Sequence, residues 1–247
     1  MFYICVIMHP YIMEESIISF KGADIMGGDN VVIHGLDMEI HRGDFVYIVG
    51  KVGTGKTSII RTMIAEIRLG GGNGTVCGFD LSKIKDKDVH LLRRRLGVVF
   101  QDFQLLNDRS VEDNLEFVLR ATGWKDRDKI AARIIEVLED VGMTTKAHKK
   151  PHQLSGGEQQ RVAIARSILN KPEVIIADEP TGNLDGETAD GIMQLLRRIN
   201  SENGTAIVMV THNRGIFEKY RGRVFVCKEE QCKEKENNEV IDLALTI

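Results

Sequence analysis

The chain has 247 residues, 43% of them hydrophobic, enough apolar material for one α/β domain with its own core and too little for two large ones. Its 33 Lys and Arg and 36 Asp and Glu leave a net charge of −3 with the basic residues scattered, which excludes the concentrated basic footprint of a nucleic-acid binder. The four cysteines, Cys5, Cys77, Cys227 and Cys232, include no C-x-x-C pair and are expected as structural thiols in a reducing compartment, Cys227 and Cys232 being at most half of a metal set.

The first dozen residues, Met1 to Ile12, are apolar and aromatic, but they fall short of the ~20 needed to span a bilayer and lack the basic start of a signal peptide. Residues 1–16 are expected to be an N-terminal extension, either an interfacial anchor or a stretch upstream of a second start at Met13. No later segment reads as a membrane span, so the domain is expected to be cytoplasmic. Ile17–Phe20 and Leu36–Ile40 are short and β-prone with Gly27 and Gly28 between them, which predicts a small antiparallel sheet.

After the apolar run Phe45–Val49 comes Gly50-Lys51-Val52-Gly53-Thr54-Gly55-Lys56-Thr57, which fits G-x-x-x-x-G-K-[ST]. A buried strand delivering a glycine-rich loop to a helix N-terminus is a phosphate-binding loop. Its backbone N–H groups, through Ser58, wrap a polyphosphate at the positive end of the helix. Lys56 is placed to reach the β- and γ-phosphates and the Thr57 hydroxyl to bind Mg²⁺. Beyond that helix, Leu69–Gly74 with its four glycines reads as a flexible turn.

Gly97–Phe100, Val174–Ala177 and Ala206–Val210 are continuous apolar runs, the pattern of strands buried on both faces of a parallel sheet. Helical spacing recurs through Ile130, Ile134, Leu138 and Val141 and again through Ile192, Leu195, Leu196 and Ile199. Gln101 closes the first of these strands and His212 the last, at strand C-termini, where open α/β sheets bind ligands. Val174–Ala177 ends in two adjacent carboxylates. Asp178 would hold Mg²⁺ through water, and Glu179 would orient or deprotonate an attacking water. In Leu154–Arg161, Ser155 is a natural helix N-cap, and Gly156 and Gly157, followed by Glu158, clear the helix mouth for a second phosphate. The stretch from Lys228 to Glu239 is charged and expected to be solvated.

The loop at Gly50–Thr57, Gln101, the Leu154–Arg161 signature, Asp178-Glu179, Gly182–Asp185 and His212, in that order, resemble the ATP-binding-cassette ATPases across roughly Ile17 to Val226. The resemblance implies a cassette over residues 17–227 with a central parallel sheet, a small antiparallel β subdomain and a helical subdomain at about 101–160, followed by a charged tail at 228–247. It implies ATP and Mg²⁺ as cofactors, with Thr57, Gln101 and Asp178 as metal-site residues and Glu179, His212 and Gln101 in catalysis. It also implies a homodimer in which Ser155–Glu158 of one chain closes over the P-loop of the other. Leu91–Asp102 followed by Leu105–Val111 looks like the cell-division branch, the FtsE type. That branch implies an FtsX-like integral membrane partner and a place on the inner face of the membrane. The ATPase of a lipoprotein-releasing or macrolide-type exporter is the alternative within the family, and a nucleotide-dependent tether with little turnover is the alternative outside enzymes.

One departure stands out: relatives place an aromatic residue after the first strand to stack on adenine, and Asp24–Gly27 offers none. Ile25 or Met26 is left to supply apolar contact there. Phe103, Leu105 and Leu106, rimmed by Asp102, Asn107, Asp108 and Arg109, suggest a docking groove for a short partner helix.

Overall fold

Alternation of burial divides the strands into two sets. The computed structural model describes residues 16–235, so the readings for residues 1–15 and 236–247 lie outside it. A four-stranded antiparallel sheet in the order β2-β1-β4-β5 is built from β1 (Ile18–Gly27), β2 (Asn30–Ile40), β4 (Leu69–Val76) and β5 (Phe79–Asp80). In β2, Leu36, Met38 and Ile40 are buried while Asp37 and Glu39 face water, the pattern of a sheet with one wet face.

The second sheet has the order β10-β9-β3-β8-β7-β6. It comprises β3 (Phe45–Gly50), β6 (Leu96–Val99), β7 (Val174–Asp178), β8 (Ala206–Val210), β9 (Arg223–Lys228) and β10 (Gln231–Glu234). All its pairings are parallel except β9 with β10. Both faces are covered, because Tyr47, Val49, Ile175, Ala177, Ile207 and Met209 enter one core and Val46, Ile48, Val174, Ile176, Val208 and Val210 the other. The first core holds α3 (Val111–Ala121), α4 (Arg127–Asp140), α5 (Gly156–Ile168) and α6 (Gly186–Asn203) against the sheet. The second joins the sheet to α1 (Lys56–Met63) and the antiparallel layer. Short helices α2 (Val89–Arg94) and α7 (Arg214–Lys219) complete the α-helices among the described residues.

Two expectations fail for identifiable reasons. The glycine-rich Leu69–Gly74 is no flexible turn but most of β4. At Gly72 (φ 71°) a Cβ would sit 2.0 Å from the Gly22 carbonyl oxygen, so glycine admits the close crossing of β1. The charged segment from Lys228 is not wholly solvated tail either. Gln231–Glu234 pair with Phe225–Lys228, and Cys232 is buried. The turn between them is Glu229–Glu230, both at positive φ, the two-residue geometry that matches strand twist.

Candidate active site

The C-terminal ends of the parallel strands open into one cleft of about 400 Å³. The β3–α1 loop contributes Val52, Gly53 and Gly55 and the start of α1 Lys56, Thr57 and Ser58; Gln101 follows β6, Asp178 ends β7 with Glu179 just after it, and Val210 ends β8 with His212 two residues beyond. Helix α1 begins at Gly55, held at φ 89°, with no side chain capping its first turn, so its leading N–H groups face the cleft uncapped. Thr54 Oγ1 donates to the Lys51 carbonyl at 2.9 Å. The Lys56 ammonium donates to the Gly50 and Lys51 carbonyls at 2.7 and 2.6 Å. Burial pulls its pKa below the usual lysine value, so an anionic partner is favoured there.

Across the cleft, burial first and the Glu179 charge second raise the Asp178 carboxyl above its usual range, with Thr57 and Lys56 opposing the rise. Glu179 holds φ 47°, a conformation costly for a non-glycine residue and characteristic of active sites. Its Oε1 lies 2.7 Å from His212 Nδ1. The His212 side chain is itself 66% exposed, so it is a cleft residue, not a core histidine. Among the described residues no group of three or more His, Cys, Asp or Glu side chains could hold a metal alone. The set that does converge, one hydroxyl, one amide and two carboxylates, fits Mg²⁺. That ion binds through one or two carboxylates and completes its shell with water and substrate phosphates.

Four further residues matter here. Asn183 clasps Gln101, accepting from its Nε2 at 3.1 Å and donating to its carbonyl at 3.2 Å, so the Gly182–Asp185 run holds Gln101 in place. Arg166 of α5 donates to the Phe103 and Gln104 carbonyls; both residues sit at positive φ (59° and 49°). The loop after Gln101 is thereby fastened to the signature helix. Val32 of β2 lines the cleft, whereas Ile25 is fully buried and cannot offer its side chain to a base. Met26 turns toward Gly70 of β4. Phe117 of α3 is 45% exposed, with the Arg109 guanidinium 4.7 Å from its ring centre. Its helical spacing alone marks it as an ordinary stripe residue.

Ser155, Gly156, Gly157 and Glu158 do not line this cleft. Ser155 caps α5 with Glu158 in a reciprocal box: the Ser155 N–H donates to Glu158 at 2.8 Å and the Glu158 N–H to Ser155 Oγ at 3.3 Å. Gly157 answers a local need as well, since a Cβ there would meet the Thr188 methyl of α6 at 2.3 Å.

With that geometry in view, comparison with known proteins is decisive. The ABC transporter family matches residues 33–182. The chain belongs to that family. It is an ATP-binding cassette that hydrolyses ATP. The cell division ATP-binding protein FtsE of Streptococcus pneumoniae is 48% identical over 192 residues, 78% of this chain and 83% of that protein. The methionine import ATP-binding protein MetN 2 of Salmonella paratyphi A is 41% identical over 223 residues, 90% of this cassette and 64% of that protein. Among solved structures, the MJ0796 cassette, a dimer bound to ADP and Pi, superposes with a TM-score of 0.78 at 30% identity, covering 90% of this cassette and all of that chain.

Proposed function

We propose that this cassette is the FtsE-type ATPase subunit of a membrane complex and works as a homodimer with two composite sites. One observation carries the dimer: the chain has two glycine-rich helix mouths, and the signature mouth at Ser155 lies outside the cleft that contains Lys56, Asp178, Glu179 and His212. A second copy supplies the missing wall, as expected for an isologous twofold pair. The solved MJ0796 cassette is a dimer.

Within each site Lys56 neutralises the β/γ-phosphates, and the uncapped amides of α1 hold the same anion. Thr57, Asp178 and Gln101 would hold Mg²⁺, which supplies charge neutralisation at the phosphates. Glu179 accepts the proton of the attacking water, and His212, in contact with Glu179 Oε1, keeps that carboxylate aimed across the cleft. In Glu179→Gln the cleft shape survives without the base, so ATP binds, turnover falls at least ~100-fold, and the dimer accumulates. Light-scattering mass with and without MgATP checks this; a mass that stays monomeric in both states sinks the composite site.

The FtsE reading rests on the higher identity to FtsE than to MetN 2, and it places the cassette on the inner face of the membrane beside an FtsX-like partner. The docking face differs from the loop trio expected above. Leu105 packs against the core and Phe103 approaches Gly156, leaving Leu106 as the outward apolar side chain of the three, near the groove lined by Arg109, Asp113, Phe117 and Arg120. Asn114, itself buried, accepts from the Leu106 N–H and donates to its carbonyl at 2.8 and 3.1 Å. The surface is therefore rigid and, through Arg166, moves with the signature helix. Leu106→Glu should abolish co-purification with a co-expressed FtsX-type permease while leaving ATP binding intact. Undiminished co-purification would put the docking face elsewhere.

A further inference from the structure

The β9–β10 hairpin places Lys228 opposite Gln231 and Cys227 opposite Cys232. Beside a two-residue turn the first pair exchanges backbone hydrogen bonds and the next pair does not. Such a non-bonded pair has the closer side chains, with Cα atoms roughly 4.5 Å apart. That spacing falls within the ~4.4–6.8 Å that a disulfide spans. Here the two Sγ atoms are 2.7 Å apart, both buried and both free thiols.

The location gives the pair its interest. Cys227 is the register partner of Gly50, the first residue of the P-loop, and a Cβ on Gly50 would lie 2.4 Å from the Cys227 carbonyl oxygen. At the turn, the Glu230 carbonyl accepts from the His34 N–H at 2.8 Å. The hairpin thus braces the P-loop strand on one side and β2, which carries Val32, on the other.

We propose that Cys227 and Cys232 form a dithiol–disulfide couple, a two-electron modification site that clips the hairpin behind the P-loop without moving its strands. The oxidant is a small disulfide of the glutathione class. Cys232, on the sheet-edge strand, loses its proton and attacks one sulfur, breaking the S–S bond and releasing one small thiol. Cys227, likewise deprotonated, then attacks Cys232 Sγ and expels the second thiol. The protein loses two protons and two electrons, and the oxidant becomes two thiols. The hydrogen bond from Cys227, together with burial, raises the Cys232 thiol well above its usual value. The exchange is therefore slow and waits on opening of β10, so the couple is a clip and not a rapid sensor.

The folded full-length chain is incubated with oxidised glutathione, quenched with iodoacetamide and digested with trypsin. Cleavage after Arg223, Lys228 and Lys233 yields Val224–Lys228 and Glu229–Lys233, which stay together only through this disulfide. The expected result is one linked species that reductant splits, a melting temperature raised on the order of 5 °C, and retained ATP binding by the oxidised chain. Cys232→Ala should lose the linked species and the thermal shift while binding ATP normally. Any of five results overturns the proposal: both peptides recovered alkylated, glutathione left on Cys232 as the end product, linkage only in denaturant, a lowered melting temperature, or lost ATP binding on oxidation.

Discussion

Two helices of this cassette start with glycine-rich turns, and they are finished differently. Helix α1 begins at a left-handed Gly55 with no side chain on its leading amides, whereas α5 begins at Ser155 with a complete reciprocal box to Glu158. A helix end without caps is destabilised unless a ligand satisfies it; a boxed end is already satisfied. The first mouth is therefore built around an anion delivered to its own chain. In the proposed dimer the second stands preformed until another chain's nucleotide reaches it. Glycine near a helix start says only that space is available. The capping residues say whether the fold or the ligand fills it.

The sharpest way to break this contrast is at Lys56. Lys56→Ala removes a charged hydrogen-bonding group at ~1.5–3 kcal/mol, so ATP binding should weaken by roughly 10- to 150-fold. Folding stability should stay near wild type, because the ammonium's burial is itself a cost. Calorimetric titration and thermal melting separate the two effects. Ser155→Ala should show the opposite balance, a loss of ~1 kcal/mol of stability from the cap with ATP binding by the single chain unchanged and ATP-driven dimerisation lost. If Ser155→Ala weakened ATP binding by the monomer, the two mouths would not be divided between chains.

Much of this was legible in the residues. Continuous apolar runs marked the parallel strands because both faces of that sheet are buried, and the P-loop, Asp178-Glu179 and His212 meet in one cleft because each lies just beyond a strand's C-terminal end. What was not legible depends on partners distant in sequence. The glycines of Leu69–Gly74 looked like a turn until β1 was seen crossing them. Gly157 read as clearance for phosphate, and nothing in the sequence showed that the Thr188 methyl also requires a glycine there. Arg166 belonged to no motif, and the Gly182–Asp185 run did not show what Asn183 would bind, since both residues act by holding the carbonyls and amide of the Gln101 loop. Cys227 and Cys232, five residues apart and in no metal pattern, become neighbours only through the register of a hairpin.

The smallest expected effect tests the cleft's apolar edge. Asp24–Gly27 carries no aromatic ring, Ile25 is sealed in the core, and of Ile33 and Val32, which both pack beside Gly55, Val32 lines the cleft. An aliphatic surface offers a nucleobase dispersion and desolvation, but neither a ring to stack on nor a polar group to read its edge. The cassette should therefore bind ATP and GTP with similar affinity. Val32→Ala withdraws about one to two methylene equivalents from that surface, at ~0.8 kcal/mol for each one fully buried. Because Val32 is only half-buried, the expected loss is roughly two- to fivefold, equal for both nucleotides. Competition of GTP against a fluorescent ATP analogue measures both claims. Strong preference for ATP in the wild type, or a Val32→Ala loss confined to ATP, would mean that a polar group elsewhere reads the base.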